Sequence, residues 1–223
     1  MAYDFNKIAS SYDRMNRLMT LGLDRCWRKR ATQGLHGHVL DVACGTGDMA
    51  ITLAERGCTV TGVDLSEEML GIARQKSEAA GFRSSTFHYQ LGNAEALPFV
   101  EGAFEAVTCA FGVRNYVHLE EGLKEMLRVL KPGGGMRILE LATPDNGLVR
   151  PFYDLYTKQI IPWLGKHIAG NREAYTYLPK SIERFPKGKD FISILEGLGA
   201  TAKEHKMTFG VCRLYVVEKG QGT

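Results

Sequence analysis

Apolar and polar positions alternate along this chain with two periods. Short apolar runs at residues 39–42, 59–63 and 86–91 are separated by residues 49–56 and 67–80, whose apolar positions recur at helical spacing. Runs of strand length alternating with helical stripes read as β-α-β-α-β, and parallel neighbours need such crossovers, so a parallel sheet with helices on its faces is predicted. The rhythm resumes with a strand at 106–111, a helix at 119–130 and a strand at 136–141, and Lys131-Pro132-Gly133-Gly134 is read as the turn that stops the helix.

After Pro144 the pattern changes. Leu148, Phe152, Tyr153, Tyr156, Ile160, Trp163 and Leu164 lie at roughly helical spacing with no intervening strand, which predicts a helical cap over 148–178. Residues 191–198 then read as a helix ending at Gly199. Residues 201–207 and 214–217 read as two strands around Thr208-Phe209-Gly210, a hairpin at the sheet edge. The first 35 residues, with Ile8, Tyr12, Met15, Leu18 and Trp27, read as helical. The expected organisation is one domain: a helical lid over 1–35, a cofactor-binding core over 36–144, a cap insertion over 145–185, and a helix with a β-hairpin over 186–223.

Composition narrows the class. A chain of 223 residues with 44% hydrophobic content buries one large core and is short for two domains. There is no apolar run of membrane-spanning length and no signal-peptide pattern at Met1-Ala2-Tyr3-Asp4-Phe5, so a cytoplasmic location is expected. Cys26, Cys44, Cys58, Cys109 and Cys212 form no CxxC pair and do not alternate with histidine, so they read as reduced thiols and no metal site is expected. His118, His167 and His205 show no partner spacing and read as structural. The net charge of +3 is small and its basic residues are scattered, so no nucleic-acid partner is expected.

The candidate chemistry begins at Asp41-Val42-Ala43-Cys44-Gly45-Thr46-Gly47-Asp48, between a predicted strand and a predicted helix. Glycines there let a backbone approach a nucleotide that a Cβ would exclude. Asp64, at the end of the second strand and 17 residues beyond Gly47, can accept both ribose hydroxyls. Gly45-x-Gly47-x-x-Ala50 also fits a dinucleotide-binding dehydrogenase. Asp41 and Asp48 argue against that reading, because carboxylates beside the loop repel a pyrophosphate but suit a cofactor bearing an ammonium and a sulfonium, S-adenosylmethionine. Asn93-Ala94-Glu95, just past the third strand, is placed to read an adenine edge.

Further motifs narrow the reading: Ala9-Ser10-Ser11-Tyr12-Asp13-Arg14-Met15-Asn16, Asn93-Ala94-Glu95-Ala96-Leu97-Pro98-Phe99, Phe111-Gly112-Val113-Arg114-Asn115, Ile138-Leu139-Glu140 and Tyr175-Thr176-Tyr177-Leu178. With these the chain resembles the UbiE/MenG/COQ5 family, the C-methyltransferases of menaquinone and ubiquinone biosynthesis, over nearly its whole length. The resemblance implies a Rossmann-like α/β class I methyltransferase fold, a seven-stranded, mostly parallel sheet with an antiparallel last strand. It implies cofactor contacts at Thr46, Asp64, Asn93 and Ala94, alongside Asp41, Gly45 and Gly47 from the loop reading. It also implies a polyprenyl quinol as methyl acceptor, demethylmenaquinol first and a methoxy-benzoquinol second. Cys44, Ala110 and Tyr215 depart from the residues usual in the family.

Methylating a ring carbon requires an electron-rich ring, which an ionised neighbouring hydroxyl supplies, while a phenol with a pKa of about 10 is scarcely ionised at neutral pH. Arg114 is the candidate to stabilise the phenolate and Asn115 to orient the same oxygen, with Asp154 and Tyr177 of the cap as candidates to accept or relay the proton. Residues 145–190 carry eight Lys or Arg against five Asp or Glu, a balance compatible with transient contact at an anionic inner-membrane face. A homodimer stays open. So do a methyltransferase for another small phenolic or sugar acceptor and a non-catalytic S-adenosylmethionine-binding module.

Overall fold

The computed structural model describes residues 9–164 and 172–220. A seven-stranded sheet in the order β3-β2-β1-β4-β5-β7-β6 runs through it, formed by β1 (His38–Val42), β2 (Thr59–Asp64), β3 (Phe87–Leu91), β4 (Phe104–Ala110), β5 (Leu130–Leu141), β6 (Ala200–Met207) and β7 (Cys212–Lys219). All pairings from β3 to β5 are parallel, and β7 enters antiparallel between β5 and β6. The expected parallel sheet with one reversed strand is therefore present, with β6 on its outer edge.

Successive residues of β1 face opposite sides. Leu40 and Val42 join the core that holds Leu123 and Met126 of α5 (Leu119–Arg128). Val39 joins the core that holds Trp27 and Ala31 of α2 (Leu23–Ala31) and Met49 and Leu53 of α3 (Asp48–Ala54). Both faces are thus covered, which is why the central strands are almost continuously apolar. By the same alternation Asp41 falls on the α2/α3 face.

The helix starts are set locally. Gly47 precedes α3 at φ 83°, a conformation that costs glycine little. Ser66 accepts the Met69 N–H at 3.1 Å to cap α4 (Glu67–Ala79). The start of α5 is capped from a distance, Glu95 Oε1 accepting the Val117 and His118 N–H groups at 2.7 and 3.1 Å. His118 has partners after all: its Nδ1 lies 2.8 Å from Glu95 and 3.7 Å from Glu121.

One expectation is corrected and another gains detail. The Lys131-Pro132-Gly133-Gly134 segment lies inside β5, as a bulge between the Phe104–Leu130 and Ala106–Gly135 pairs, and α5 ends earlier, at Arg128. Pro132 needs no ladder hydrogen bond there, and Gly133 takes φ 73°. The cap is broken: α6 (Arg150–Leu155) passes through a π turn at Tyr156–Ile160 into α7 (Ile161–Leu164), and α8 (Arg172–Arg184) follows. At the N-terminus α1 (Ala9–Met19) precedes α2, and α9 (Lys189–Gly197) leads into β6.

Candidate functional site

Strand order reverses between β1 and β4, and in open α/β sheets ligands bind beyond the carboxyl ends of the strands at that point. Both strands there end in a left-handed non-glycine residue, Ala43 at φ 53° and Phe111 at φ 61°. Such strain persists where the surroundings over-determine it, commonly at functional sites. Two cavities meet around Phe111.

The first cavity, of about 260 Å³, is lined by Gly45, Asp64, Asn93 and Ala94, with Ala110 and Asn115 on its other side. Asp64 Oδ2 accepts the Gly45 N–H at 2.8 Å and Oδ1 the Ser66 N–H at 2.9 Å, so the carboxylate braces the loop and keeps lone pairs free. Burial pushes its pKa up, against those hydrogen bonds. Gly45, at φ 54°, has no atom within 4 Å of where a Cβ would stand, an open cradle beside a carboxylate. Asn93, which also lines the cavity, accepts the Glu95 N–H on Oδ1 at 3.0 Å. Arg128 of α5 donates to the carbonyls of Phe99 and Leu97 at 2.8 and 3.1 Å and fixes this loop.

Three expected cofactor residues lie outside that lining. Asp41 is buried beneath α2 and α3, where Oδ1 accepts the Thr108 hydroxyl at 2.8 Å and Oδ2 has no partner. Burial holds its pKa up at about 7. Thr46 is turned to α1, its hydroxyl donating to Asp13, and Gly47 serves the helix turn. Lys76 of α4 bridges Asp13, at 2.6 Å, and Asp48. The Asp48 charge is thereby neutralised, and it is Asp64 that carries the negative charge against a pyrophosphate. Of the family departures, Ala110 lines the cavity. Cys44 packs under the loop against Gly62, and Tyr215 packs on Phe191 with its hydroxyl accepting the Gly188 N–H at 2.9 Å.

The second cavity, of about 300 Å³, lies between α1, α2, the cap and the β6–β7 turn. Its wall is largely apolar, with Met19, Leu141, Tyr153, Ile161 and Val211 among its residues, and Tyr12 and Phe111 are shared with the first cavity. Arg114 enters it. Nη1 donates to Glu140 at 2.8 Å and to the Phe111 carbonyl at 2.5 Å, with both side chains of the ion pair almost fully buried. Burial pushes the Glu140 carboxyl up despite the opposing Arg114, while for Arg114 the attraction of Glu140 overcomes burial and holds the guanidinium charged.

Asn115 lines the first cavity and accepts the Tyr177 hydroxyl at 3.1 Å. Arg114 and Asn115 thus face different cavities from adjacent positions. Asp154 lines neither: it pairs with Arg150 at 3.0 Å and Lys158 at 3.7 Å along its own helix face, and i,i+4 partners explain it without the site. Sequence reasoning missed Asp24 and Arg28, which line the second cavity as a buried ion pair of 2.7 Å, and Glu140 as the partner of Arg114. Arg28 also lies over the Phe111 ring, 5.1 Å from its centroid. An i,i+4 pair on a strongly basic helix carries no sign of burial in the sequence.

Solved structures share this fold. A SAM-dependent methyltransferase of Thermotoga maritima superposes with a TM-score of 0.67 over 96% of this chain and 98% of its own, at 18% identity. One from Aquifex aeolicus gives 0.65 over 92% and 97%, at 16% identity. With the glycine loop and the Asp64 cavity in place, the chain has the fold of the class I S-adenosylmethionine-dependent methyltransferases. The sequence matches the ubiE/COQ5 methyltransferase family over residues 2–219. Similar relatives include demethylmenaquinone methyltransferases of Deinococcus radiodurans, 40% identical over 96% of this chain and 90% of the relative, and of Thermus thermophilus, 41% over 96% and 99%. The ubiquinone/menaquinone biosynthesis C-methyltransferase UbiE of Geobacter sulfurreducens is 39% identical over 97% of this chain and 87% of the relative. The chain belongs to the ubiE/COQ5 methyltransferase family.

Proposed function

We propose that the enzyme transfers the methyl group of S-adenosylmethionine to a ring carbon of a polyprenylated quinol, demethylmenaquinol being the leading acceptor. The observation that carries this reading is the pair of adjoining cavities sharing Tyr12 and Phe111, one polar around Asp64 and one apolar around a buried guanidinium. The names of the relatives point to the same acceptor class.

In this reading Asp64 holds the ribose diol, Asn93 and Ala94 face the adenine, and the Gly45 cradle admits the donor backbone. Asp41, Thr46 and Gly47 act by holding the loop. Bound there, S-adenosylmethionine supplies an electrophilic methyl group. Arg114 stabilises the phenolate that makes the acceptor ring nucleophilic, and Glu140 fixes the guanidinium in place. Asn115 and Tyr177 position the donor side. An apolar wall excludes water and accommodates the prenyl chain nearest the ring. The test is methyl transfer from labelled S-adenosylmethionine to a short-chain demethylmenaquinol under reducing conditions, with benzoquinol, simple phenol and sugar acceptors beside it. Label only in a phenol or sugar overturns the acceptor, and tight donor binding without any turnover overturns the enzyme reading in favour of a binding module.

The mouth of the apolar cavity supports action at a membrane surface. Leu21, Phe152 and Phe209 line it yet are 74%, 76% and 77% exposed, and Leu21 and Phe209 are held outward at φ 53° and 56°. The neighbouring helices expose Arg14, Arg17, Arg25, Lys29 and Arg30, while Asp13 and Asp24 are engaged by Lys76 and Arg28. An apolar rim flanked by cations fits an anionic bilayer surface. No helix among the described residues is long and apolar enough to cross a membrane. Co-sedimentation with phosphatidylcholine vesicles containing phosphatidylglycerol is expected for wild type and weakened in Leu21→Ser/Phe209→Ser. Equal recovery of both proteins refutes this orientation.

A further inference from the structure

Ionising the acceptor hydroxyl needs a group that takes its proton, and the residues described so far supply none. Arg114 is held protonated, and its partner Glu140 stands behind it, outside the cavity lining, already accepting from the guanidinium at 2.8 and 3.2 Å and from the Leu141 N–H at 3.1 Å. Tyr153 and Tyr156 of the wall are poor acceptors. Burial pushes Tyr153 up to about 12, and Tyr156 is also raised by burial, its hydroxyl lying 3.3 and 3.2 Å from the carbonyls of Leu18 and Met19. Among the described residues lining this cavity, Asp24 is the one carboxylate.

Resting on the quinol reading above, we propose that Asp24 is the general base of the reaction, with Arg28 as its positioning residue. Asp24 is 1% exposed and stands in the first turn of α2. Oδ2 accepts from Arg28 Nη1 at 2.7 Å. Oδ1 faces the Thr20 hydroxyl at 2.9 Å, but the same hydroxyl lies 2.8 Å from the Asn16 carbonyl, and its single proton serves one acceptor at a time. When Thr20 donates to Asn16, Oδ1 is released to accept from the substrate. Arg28 is stacked on Phe111, the residue shared by the two cavities, and its Nε is buried without a partner. A pair serving stability alone is often matched by well-packed apolar residues. This one keeps a carboxylate and a half-satisfied guanidinium in the wall of the apolar cavity that Arg114 also lines.

The step balances as follows. The acceptor O–H breaks, its proton goes to Asp24 and the electron pair stays on oxygen, stabilised by Arg114. The ring carbon forms the new bond to the methyl group as the sulfonium carbon–sulfur bond breaks, sulfur keeping that pair. The ring carbon then loses its own proton to water, the C–H pair restoring the aromatic ring and the phenolate, and Asp24 returns the proton it holds to that oxygen. The net release is one proton, and no oxidant is needed.

The experiment compares wild type, Asp24→Asn and Asp24→Leu/Arg28→Met on a short-chain demethylmenaquinol and on a ring-halogenated analogue with a more acidic hydroxyl. Calorimetry of S-adenosylmethionine binding and thermal unfolding accompany the kinetics. Both variants are expected to bind the donor as wild type does and to lose roughly 100-fold or more in kcat on the parent quinol. The loss should shrink on the acidic analogue, and the acid limb of the wild-type pH–rate profile should vanish in Asp24→Asn. A merely structural pair gives one factor for both acceptors. Equal losses on the two acceptors, or kcat within about threefold of wild type, overturn the assignment. The double variant, which leaves no unpaired charge, reads the same contrast should Asp24→Asn fold poorly. A wild type inert toward every quinol brings down the quinol reading and this inference with it, whereas an active wild type with an unimpaired Asp24→Asn brings down this inference alone.

Discussion

Replacing Asp41 by asparagine isolates the cost of a buried carboxylate at the centre of the sheet. Asp41 is 1% exposed and keeps one hydrogen bond, from Thr108. Burial, opposed first by that bond, lifts its pKa from 3.8 to about 7. The folded protein therefore holds a proton between these values that the unfolded chain has released, so stability falls as pH rises through that window. About three units at roughly 1.4 kcal/mol each amount to about 4 kcal/mol between pH 4 and pH 7. Asparagine keeps the acceptor for Thr108 and never ionises, but its amide nitrogen replaces an oxygen that has no partner, at about 1–3 kcal/mol. Asp41→Asn should thus be more stable than wild type by about 1–3 kcal/mol at pH 8, a few degrees in Tm for a chain of this size, and less stable at pH 4. Urea unfolding without cofactor at both pH values, with m-values compared, measures it. A difference between the two proteins that does not change with pH refutes the reasoning. Because a cationic donor favours the ionised carboxylate, wild type should bind S-adenosylmethionine more tightly as pH rises through about 7, and Asp41→Asn should not.

Other outcomes follow from the same geometry. Asp64→Ala removes the acceptor of the Gly45 and Ser66 N–H groups together with the proposed ribose ligand, so donor Kd should rise about 100-fold or more by calorimetry. Arg114→Met should bind the donor normally and lose about 100-fold or more in kcat. It also strands Glu140, at about 3–5 kcal/mol of stability, so adding Glu140→Gln should restore the Tm and not the turnover. A Cβ at Gly122 overlaps the Tyr116 ring, which lines the Asp64 cavity proposed for the donor. Gly122→Ala should therefore lower stability by about 1–3 kcal/mol and weaken donor binding, both read by ligand-dependent thermal shift.

The strands and helices around the glycine loop were legible because each central strand is apolar on both faces and each crossover helix carries one stripe. Asp64 and Asn93 were legible from their places at strand ends, and Arg114 from the Phe-Gly-Val-Arg-Asn motif. Side-chain direction was not legible. Asp41, Thr46 and Asp48 lie within four residues of Gly45, yet burial under α2, Asp13 and Lys76 draw them away from the cavity. Asp154 has helical neighbours that satisfy it, whereas Asp24, equally well provided on paper, is enclosed by α1 and the cap. The Glu95–His118 contact spans 23 positions and depends on two loops meeting. The Lys-Pro-Gly-Gly segment is a turn signal that the neighbouring strand turns into a bulge.

The most direct test of the whole account is a single-turnover assay with methyl-labelled S-adenosylmethionine and chemically reduced, short-chain demethylmenaquinol. The account predicts label on the quinol ring carbon, equimolar S-adenosylhomocysteine, and no transfer to the oxidised quinone. No label in the reduced quinol, or equal transfer to the oxidised form, would contradict phenolate-driven methylation in the Arg114 cavity.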